Sequence, residues 1–260
     1  MKEILIGIYA RHIYLSGSDW SRRWRKSVHR IRGKQSRFLQ QTSLPRVCWQ
    51  KLFRARWSRV WEAKRANGNI RISELGILSA AAAECPPATN IFEIGTFDGR
   101  TTLNLTLNSA ESCKVFTLDL PANTETKFAL AKGEKHMVRK EESGARFHRH
   151  RATVPKAIAR ITQLFGDSAQ FDFRPFHRTC SLVFVDGSHT YEYVHADTKT
   201  AIDLARPGAV ILWHDYGIWE GVTRALEEVE AANGLGLRNI AGTSLVYWRA
   251  PLEGAATAFV

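Results

Sequence analysis

At 260 residues the chain is long enough for one large domain or for a domain with an extension, and 44% hydrophobic residues suit a soluble globular protein. No apolar run reaches the length of a bilayer span. The four cysteines (Cys48, Cys85, Cys113, Cys180) form no C-x-x-C pair, which argues against a zinc site or disulfide framework and for a reducing, cytoplasmic setting. The net charge of +12 is uneven: residues 1–70 hold 17 Lys/Arg against Glu3, Asp19 and Glu62, so the rest of the chain is close to neutral.

Residues 1–70 therefore read as a basic extension and 71–260 as the main domain. Trp20, Trp24, Val28, Ile31 and Phe38 recur at helical spacing, and after Pro45 so do Trp49, Leu52, Phe53, Trp57, Val60 and Trp61. Two basic amphipathic helices are expected. Their faces suit an anionic membrane surface, a polyanion or a partner; the alternative is that the apolar stripes pack on the main domain. A helix from Ile72 to Glu84 follows, stopped by Cys85-Pro86-Pro87.

Asn90 to Thr102 reads as a buried strand, a tight loop and a helix start. The run Ile91-Phe92-Glu93-Ile94 leads into Gly95 and Gly99, with Thr96 and Asp98 between them. A second apolar run ends at Asp119, 20 residues beyond Gly99, where a carboxylate at a strand tip can take both hydroxyls of a ribose. The loop lacks G-x-G-x-x-G, and Glu93 and Asp98 beside it would repel a pyrophosphate. They suit a cationic ligand, which counts against a nicotinamide-dependent dehydrogenase.

Residues 121–158 are polar and carry the cluster His148-Arg149-His150-Arg151, as expected of an insertion or lid. A strand over Ile161–Leu164 ends near Gly166-Asp167-Ser168. Ser181–Val185 is a continuous apolar strand ending in Asp186, with Gly187-Ser188-His189-Thr190 leading into a helix from Tyr191 to Leu204. Arg206-Pro207-Gly208 should turn the chain into a strand over Ala209–Trp213, which ends in His214-Asp215-Tyr216. A helix over Gly221–Ala232 and a hairpin of Leu237–Ile240 with Ser244–Trp248 complete an α/β pattern with a largely parallel sheet. Acids thus fall at the carboxyl ends of several strands, where open α/β sheets bind ligands.

The pattern Glu93-x-Gly95-x-x-x-Gly99, taken with Asp186-Gly187-Ser188-His189-x-Tyr191 and His214-Asp215-Tyr216, resembles the class I S-adenosylmethionine-dependent methyltransferases, in particular a branch of small-molecule and sugar O-methyltransferases. The resemblance covers roughly residues 72–250. It implies a Rossmann-like seven-stranded, mostly parallel sheet with an antiparallel last strand, here with a helical basic N-terminal extension. It also implies S-adenosylmethionine as methyl donor and a small-molecule or glycan acceptor. Glu93, Gly95, Thr96 and Gly99 would line the methionine and ribose, Asp119 the ribose, Asp167 and Ser168 the adenine, and Asp186 the amino end. Asp186 and Asp215 stand where metal-dependent relatives hold Mg²⁺. Tyr216 replaces the Asn of catechol-type relatives. His189 matches the base of some sugar-modifying relatives, with helix capping as its alternative role. Nucleic-acid methylation is disfavoured because no N-P-P-Y motif follows the fourth strand. A non-catalytic binding protein on the same fold is the remaining rival, and oligomerisation is left open.

Overall fold

A computed structural model of the protein describes residues 41–55, 58–65, 68–132, 134 and 142–252. Its strands are β1 (Arg46–Val47), β2 (Asn90–Ile94), β3 (Lys114–Asp119), β4 (Ile161–Phe165), β5 (Cys180–Val185), β6 (Ala205–Trp213), β7 (Arg238–Ile240) and β8 (Val246–Arg249). The helices are α1 (Ile72–Ala83), α2 (Arg100–Asn108), α3 (Ala145–His148), α4 (Pro155–Ile158), α5 (Tyr191–Leu204) and α6 (Glu220–Asn233). All strands join one sheet in the order β1-β7-β8-β6-β5-β2-β3-β4. Only β8 runs antiparallel to its neighbours, β6 and β7. The chain reverses direction in the strand order between β2 and β5, which makes the carboxyl ends of those strands the natural ligand crevice.

Alternation along the central strands explains their burial on both sides. Phe92, Ile94, Val183 and Val185 pack on one face with Val194, Ala201 and Leu226 of α5 and α6. Ile91, Leu182 and Phe184 pack on the other with Leu75 and Leu78 of α1. Helix α1 starts at Arg71, whose backbone N–H donates to Glu74 Oε2 at 3.0 Å, and α6 ends on Gly234 at φ 58°.

The seven expected strands, β2 to β8 with β8 antiparallel, are joined by a two-residue edge strand, Arg46–Val47, parallel to β7. One expectation is corrected. The second amphipathic helix is absent from the described residues. After a short 3₁₀ turn over Trp49–Lys51, residues 52–55, 58–65 and 68–70 form no helix. Trp49, Phe53 and Val60 are nevertheless buried, packed in the same core as α1. The cause lies in α2. Arg100, Asn104 and Asn108, spaced four apart, form one polar face that satisfies the backbone of this strap. Asn108 accepts from Arg59 N–H and donates to Arg59 O (2.9 and 2.8 Å), and Asn104 does the same for Trp61 (2.8 and 3.0 Å). Backbone groups satisfied sideways need no helix. Trp57 and the stripe from Trp20 to Phe38 lie outside the described residues.

Strand β6 begins four residues earlier than expected. A register shift opposite Cys180–Leu182 absorbs Arg206-Pro207-Gly208 within the strand, with Gly208 at φ 77°. Residues 121–158 contain the two four-residue helices α3 and α4, and Glu134 is helical as well. No helix of the described residues is long and apolar enough to cross a membrane.

Candidate active site

A cavity of about 730 Å³ opens at the carboxyl ends of β2 to β6. Gly95, Asp119, Asp167, Ser168, Asp186, His189 and Asp215 all line it, with His214 beside them. Glu93, Thr96 and Gly99 do not. The strand period puts Glu93 on the face of Ile91, away from the cavity. It accepts hydrogen bonds there from Thr102 Oγ1 of α2 and, at 2.7 Å, from Thr117 Oγ1 of β3. Burial pushes its carboxyl up to about 8. Thr96 is buried against Thr117 at 2.6 Å. Gly99 is the left-handed N-cap of α2, and a Cβ there would collide with Phe147. Gly95 is required for a similar reason: at φ 99°, a Cβ would strike the backbone carbonyl of Asp186. Both glycines serve close chain packing.

On one side of the cavity Asp119 ends β3. Burial raises its carboxyl above the ordinary range, against bonds from Ser143 and from the backbone of Phe97, Thr96 and Leu120. Asp167, beyond β4, is committed on both oxygens. Oδ1 accepts from Ala169 N–H and Tyr193 OH at 2.9 Å each, and Oδ2 from Lys127 N–H at 2.7 Å and Gln170 Nε2 at 3.0 Å. Its carboxylate therefore shapes the wall by fastening the chain around Lys127, and Ser168 beside it lines the cavity.

On the other side, β5 and β6 deliver Asp186, His189, His214 and Asp215 into one cluster. His214 Nδ1 lies 2.9 Å from Asp186 Oδ1 and 3.3 Å from Asp215 Oδ1. His189 Nε2 lies 2.7 Å from Asp215 Oδ2. Burial alone would lower His189; Asp215 and Glu134, one at each ring nitrogen, outweigh it and raise the imidazole to about 10. Burial raises Asp186, whereas the two histidines hold Asp215 well below the carboxylate range in spite of its burial. One ligand atom each from Asp186, His189 and Asp215 falls within 4.8 Å of the others. Two carboxylate oxygens and an imidazole nitrogen at that spacing fit a divalent cation. Tyr216 is no part of this set: its buried hydroxyl donates to Glu227 Oε1 at 2.6 Å and accepts from Leu44 N–H at 3.1 Å.

Sequence reasoning missed Glu74, Glu134, Tyr193 and Trp219. Glu74 reaches the cluster from α1, with Oε2 3.4 Å from His214 Nε2 and Oε1 held by Ser244 N–H and Oγ. Its place in the first turn of a helix next to the cleft was a readable sign. Trp219 stacks on His189 with ring centroids 4.5 Å apart and planes 23° apart. Glu134 carries no sequence pattern at all. The cluster His148–Arg151 lies elsewhere: His148 faces Gln163, and His150 faces Glu62.

Residues 92–216, which span every strand end that lines the cavity, match the family model described as a methyltransferase domain. No curated protein sequence matches the chain. Among solved structures, the SAH-bound methyltransferase PaMTH1 of Podospora anserina is similar over 91% of this chain and 97% of its own, at 13% identity and a TM-score of 0.54. A protein from Corynebacterium glutamicum is similar over 72% of this chain and 84% of its own, at 16% identity and a TM-score of 0.52. An O-methyltransferase from Bacillus cereus in complex with SAH covers 71% of this chain and 82% of its own, at 18% identity and a TM-score of 0.46. The first two likenesses and the strand order establish the Rossmann-like class I methyltransferase fold.

Proposed function

We propose that the protein is an S-adenosylmethionine-dependent methyltransferase that methylates a hydroxyl of a small molecule or glycan. One observation carries this reading: Asp119, at the tip of β3, shares a single cavity with the Asp186–His189–Asp215 cluster at the tips of β5 and β6. The first is placed for a ribose and the second for an acceptor hydroxyl. Methyl transfer is an in-line displacement, so holding both reactants in one cavity supplies much of the rate.

His189 is drawn towards its charged form by a carboxylate at each ring nitrogen, so it receives the acceptor's proton only from the neutral ring, which rising pH supplies; Nε2 lies 2.7 Å from Asp215 Oδ2, and Trp219 stacks on the ring. Asp186, raised by burial, is the second carboxylate in reach. As the alternative to His189 acting as base, Asp186 and Asp215 would hold a divalent cation such as Mg²⁺, which would supply Lewis acidity to the acceptor oxygen when bound. Asp186 faces the acceptor, not only the amino end of the cofactor.

Calorimetry with S-adenosylmethionine, and with NAD as control, tests the reading. The full chain should bind the first and not the second. Asp119→Ala should weaken binding about 10–100-fold, since charge-assisted hydrogen bonds are each worth roughly 1.5–3 kcal/mol. Unchanged affinity in a folded Asp119→Ala protein overturns the ribose assignment. Screening acceptors with a labelled methyl donor then names the substrate.

We also propose an anionic membrane surface as the partner of residues 1–40, which hold ten Lys/Arg against Glu3 and Asp19 and include Trp20 and Trp24. Because residues from Leu44 onward pack on the domain, the matching control is a chain starting at Gln41. The full chain should float with anionic liposomes, more so at low salt, and the shortened chain should not. Equal flotation rejects the proposal.

A further inference from the structure

We propose that Glu134 is the positioning residue for His189: a carboxylate from the chain between β3 and α3 that fixes which ring nitrogen faces Asp186 and Asp215. The inference rests on the acceptor-site reading given above. Glu134 is 55 residues from His189 in sequence and 4% exposed. Its Oε1 contacts His189 Nδ1 and accepts from the His189 backbone N–H at 2.5 Å. Its Oε2 accepts from Ser188 Oγ at 3.0 Å and from Ala131 N–H at 2.7 Å. Both oxygens are thus spent on the turn that presents the imidazole.

Geometry shows why the ring needs this partner. Trp219 stacks on its face and sets the plane. A half-turn of the ring about its bond to Cβ leaves that plane unchanged, yet it moves both nitrogens and puts carbons in their places. Stacking therefore does not choose between the two orientations. Glu134 and Asp215 do, because only one orientation puts Nδ1 against the Glu134 carboxylate and Nε2 against that of Asp215, and Glu134 is the partner that holds Nδ1. With Nδ1–H held there, Nε2 is the nitrogen that points to Asp215 Oδ2, 2.7 Å away. An outer carboxylate that orients an imidazole in this way governs its use as base or ligand, and losing such a partner costs about 10–100-fold in activity or metal affinity.

The rival role is a plain tether, in which Glu134 ties residues 131–134 to residues 188–189 and the ring is indifferent. Nitrogen NMR of the full-length, ¹⁵N-histidine-labelled chain with S-adenosylhomocysteine separates the two, with the His189 signals assigned by their loss in His189→Gln. In the parent, Nδ1 should carry a slowly exchanging, hydrogen-bonded proton. Glu134→Ala should abolish that signature while S-adenosylmethionine affinity stays within about threefold, Asp215 then being the one carboxylate left on the ring. Glu134→Gln, which keeps an acceptor oxygen, should retain the bonded Nδ1–H at a shifted frequency. Identical His189 nitrogen shifts in the parent and either variant overturn the proposal. If Glu134→Ala fails to fold, the Gln variant alone decides. Failure of the parent to bind S-adenosylmethionine would instead sink the methyltransferase reading, and the imidazole signals of the unliganded chain would still report on Glu134. With an acceptor in hand, Glu134→Ala should lower kcat about 10–100-fold with little change in KM for the methyl donor. Unchanged kcat counts against positioning.

Discussion

Residues 58–65 with 68–70, and residues 120–132 with Glu134, border the same cavity from two sides, and their backbones are fastened to the domain by different chemistry. The first stretch is held through its backbone by neutral amides and guanidinium groups. Besides the two asparagines of α2, Arg100 donates to the carbonyls of Glu62 at 2.7 Å, Ile70 at 3.0 Å and Ala63 at 3.4 Å, and Arg146 donates to Lys64 O at 2.8 Å. The second stretch is held by carboxylates that belong to the cavity wall: Asp167 at Lys127, and Glu134 at Ser188 and His189. Phe128 adds an edge contact with Tyr193 at 5.3 Å. The strap is tied to α2, and the other stretch is tied to groups that line the cavity.

The sharpest way to break this comparison is Arg100→Met. It keeps the apolar stem but leaves three strap carbonyls without their donor in a position that is 1% exposed. A buried, multiply bonded charged group of this kind should cost about 2–4 kcal/mol of unfolding free energy, read as a lower denaturation midpoint. A cost below about 0.5 kcal/mol would mean that the two asparagines and the buried Trp49, Phe53 and Val60 hold the strap without Arg100.

Asp167→Asn is the matching change on the other side. It keeps the shape but leaves one oxygen to serve donors that now use two. Loss of one such bond is worth about 1 kcal/mol, so the amide of Lys127 should exchange roughly fivefold to tenfold faster. The amides of Arg59 and Trp61, held by Asn108 and Asn104, should not change. Equal acceleration in both stretches would show that they open as one unit.

Much of this architecture was legible in the sequence, and the exceptions have physical causes. Asp119, Asp167, Asp186 and Asp215 reach the cavity because an apolar run ending in an acid defines both a strand and its tip. Helix α5 begins and ends where its pattern says, at Tyr191 and Leu204. The resemblance implies a place for Glu93 at the site, although its own strand period puts it with Ile91 on the other face. The strap misled because apolar residues at helical spacing bury equally well from an extended chain when another element satisfies the backbone, and that element, the Arg100–Asn104–Asn108 face, lies far along the sequence. Glu134 was invisible because a lone acid in a polar stretch gains its meaning only from a partner 55 residues away.

The smallest expected effect is also the most selective, and it follows from the sign of one titration. Burial works to raise Asp167, but the N–H groups of Lys127 and Ala169, with Gln170 and Tyr193, hold its carboxyl below the ordinary value of 3.8. A carboxylate whose folded value is depressed contributes stability that is fully present above its unfolded value and is lost as pH falls through the folded one. Acidification from about pH 5 towards pH 3 and below should therefore loosen the chain around Lys127. The bonds of Asn104 and Asn108 to the strap contain no group that titrates in this window. Hydrogen exchange, corrected for the intrinsic pH dependence of each amide, should show the protection of Lys127 falling relative to that of Arg59 and Trp61, and Asp167→Asn should flatten the difference. If the three amides lose protection in parallel, the carboxylate tie is no more acid-sensitive than the amide ladder, and the contrast between the two walls of the cavity disappears.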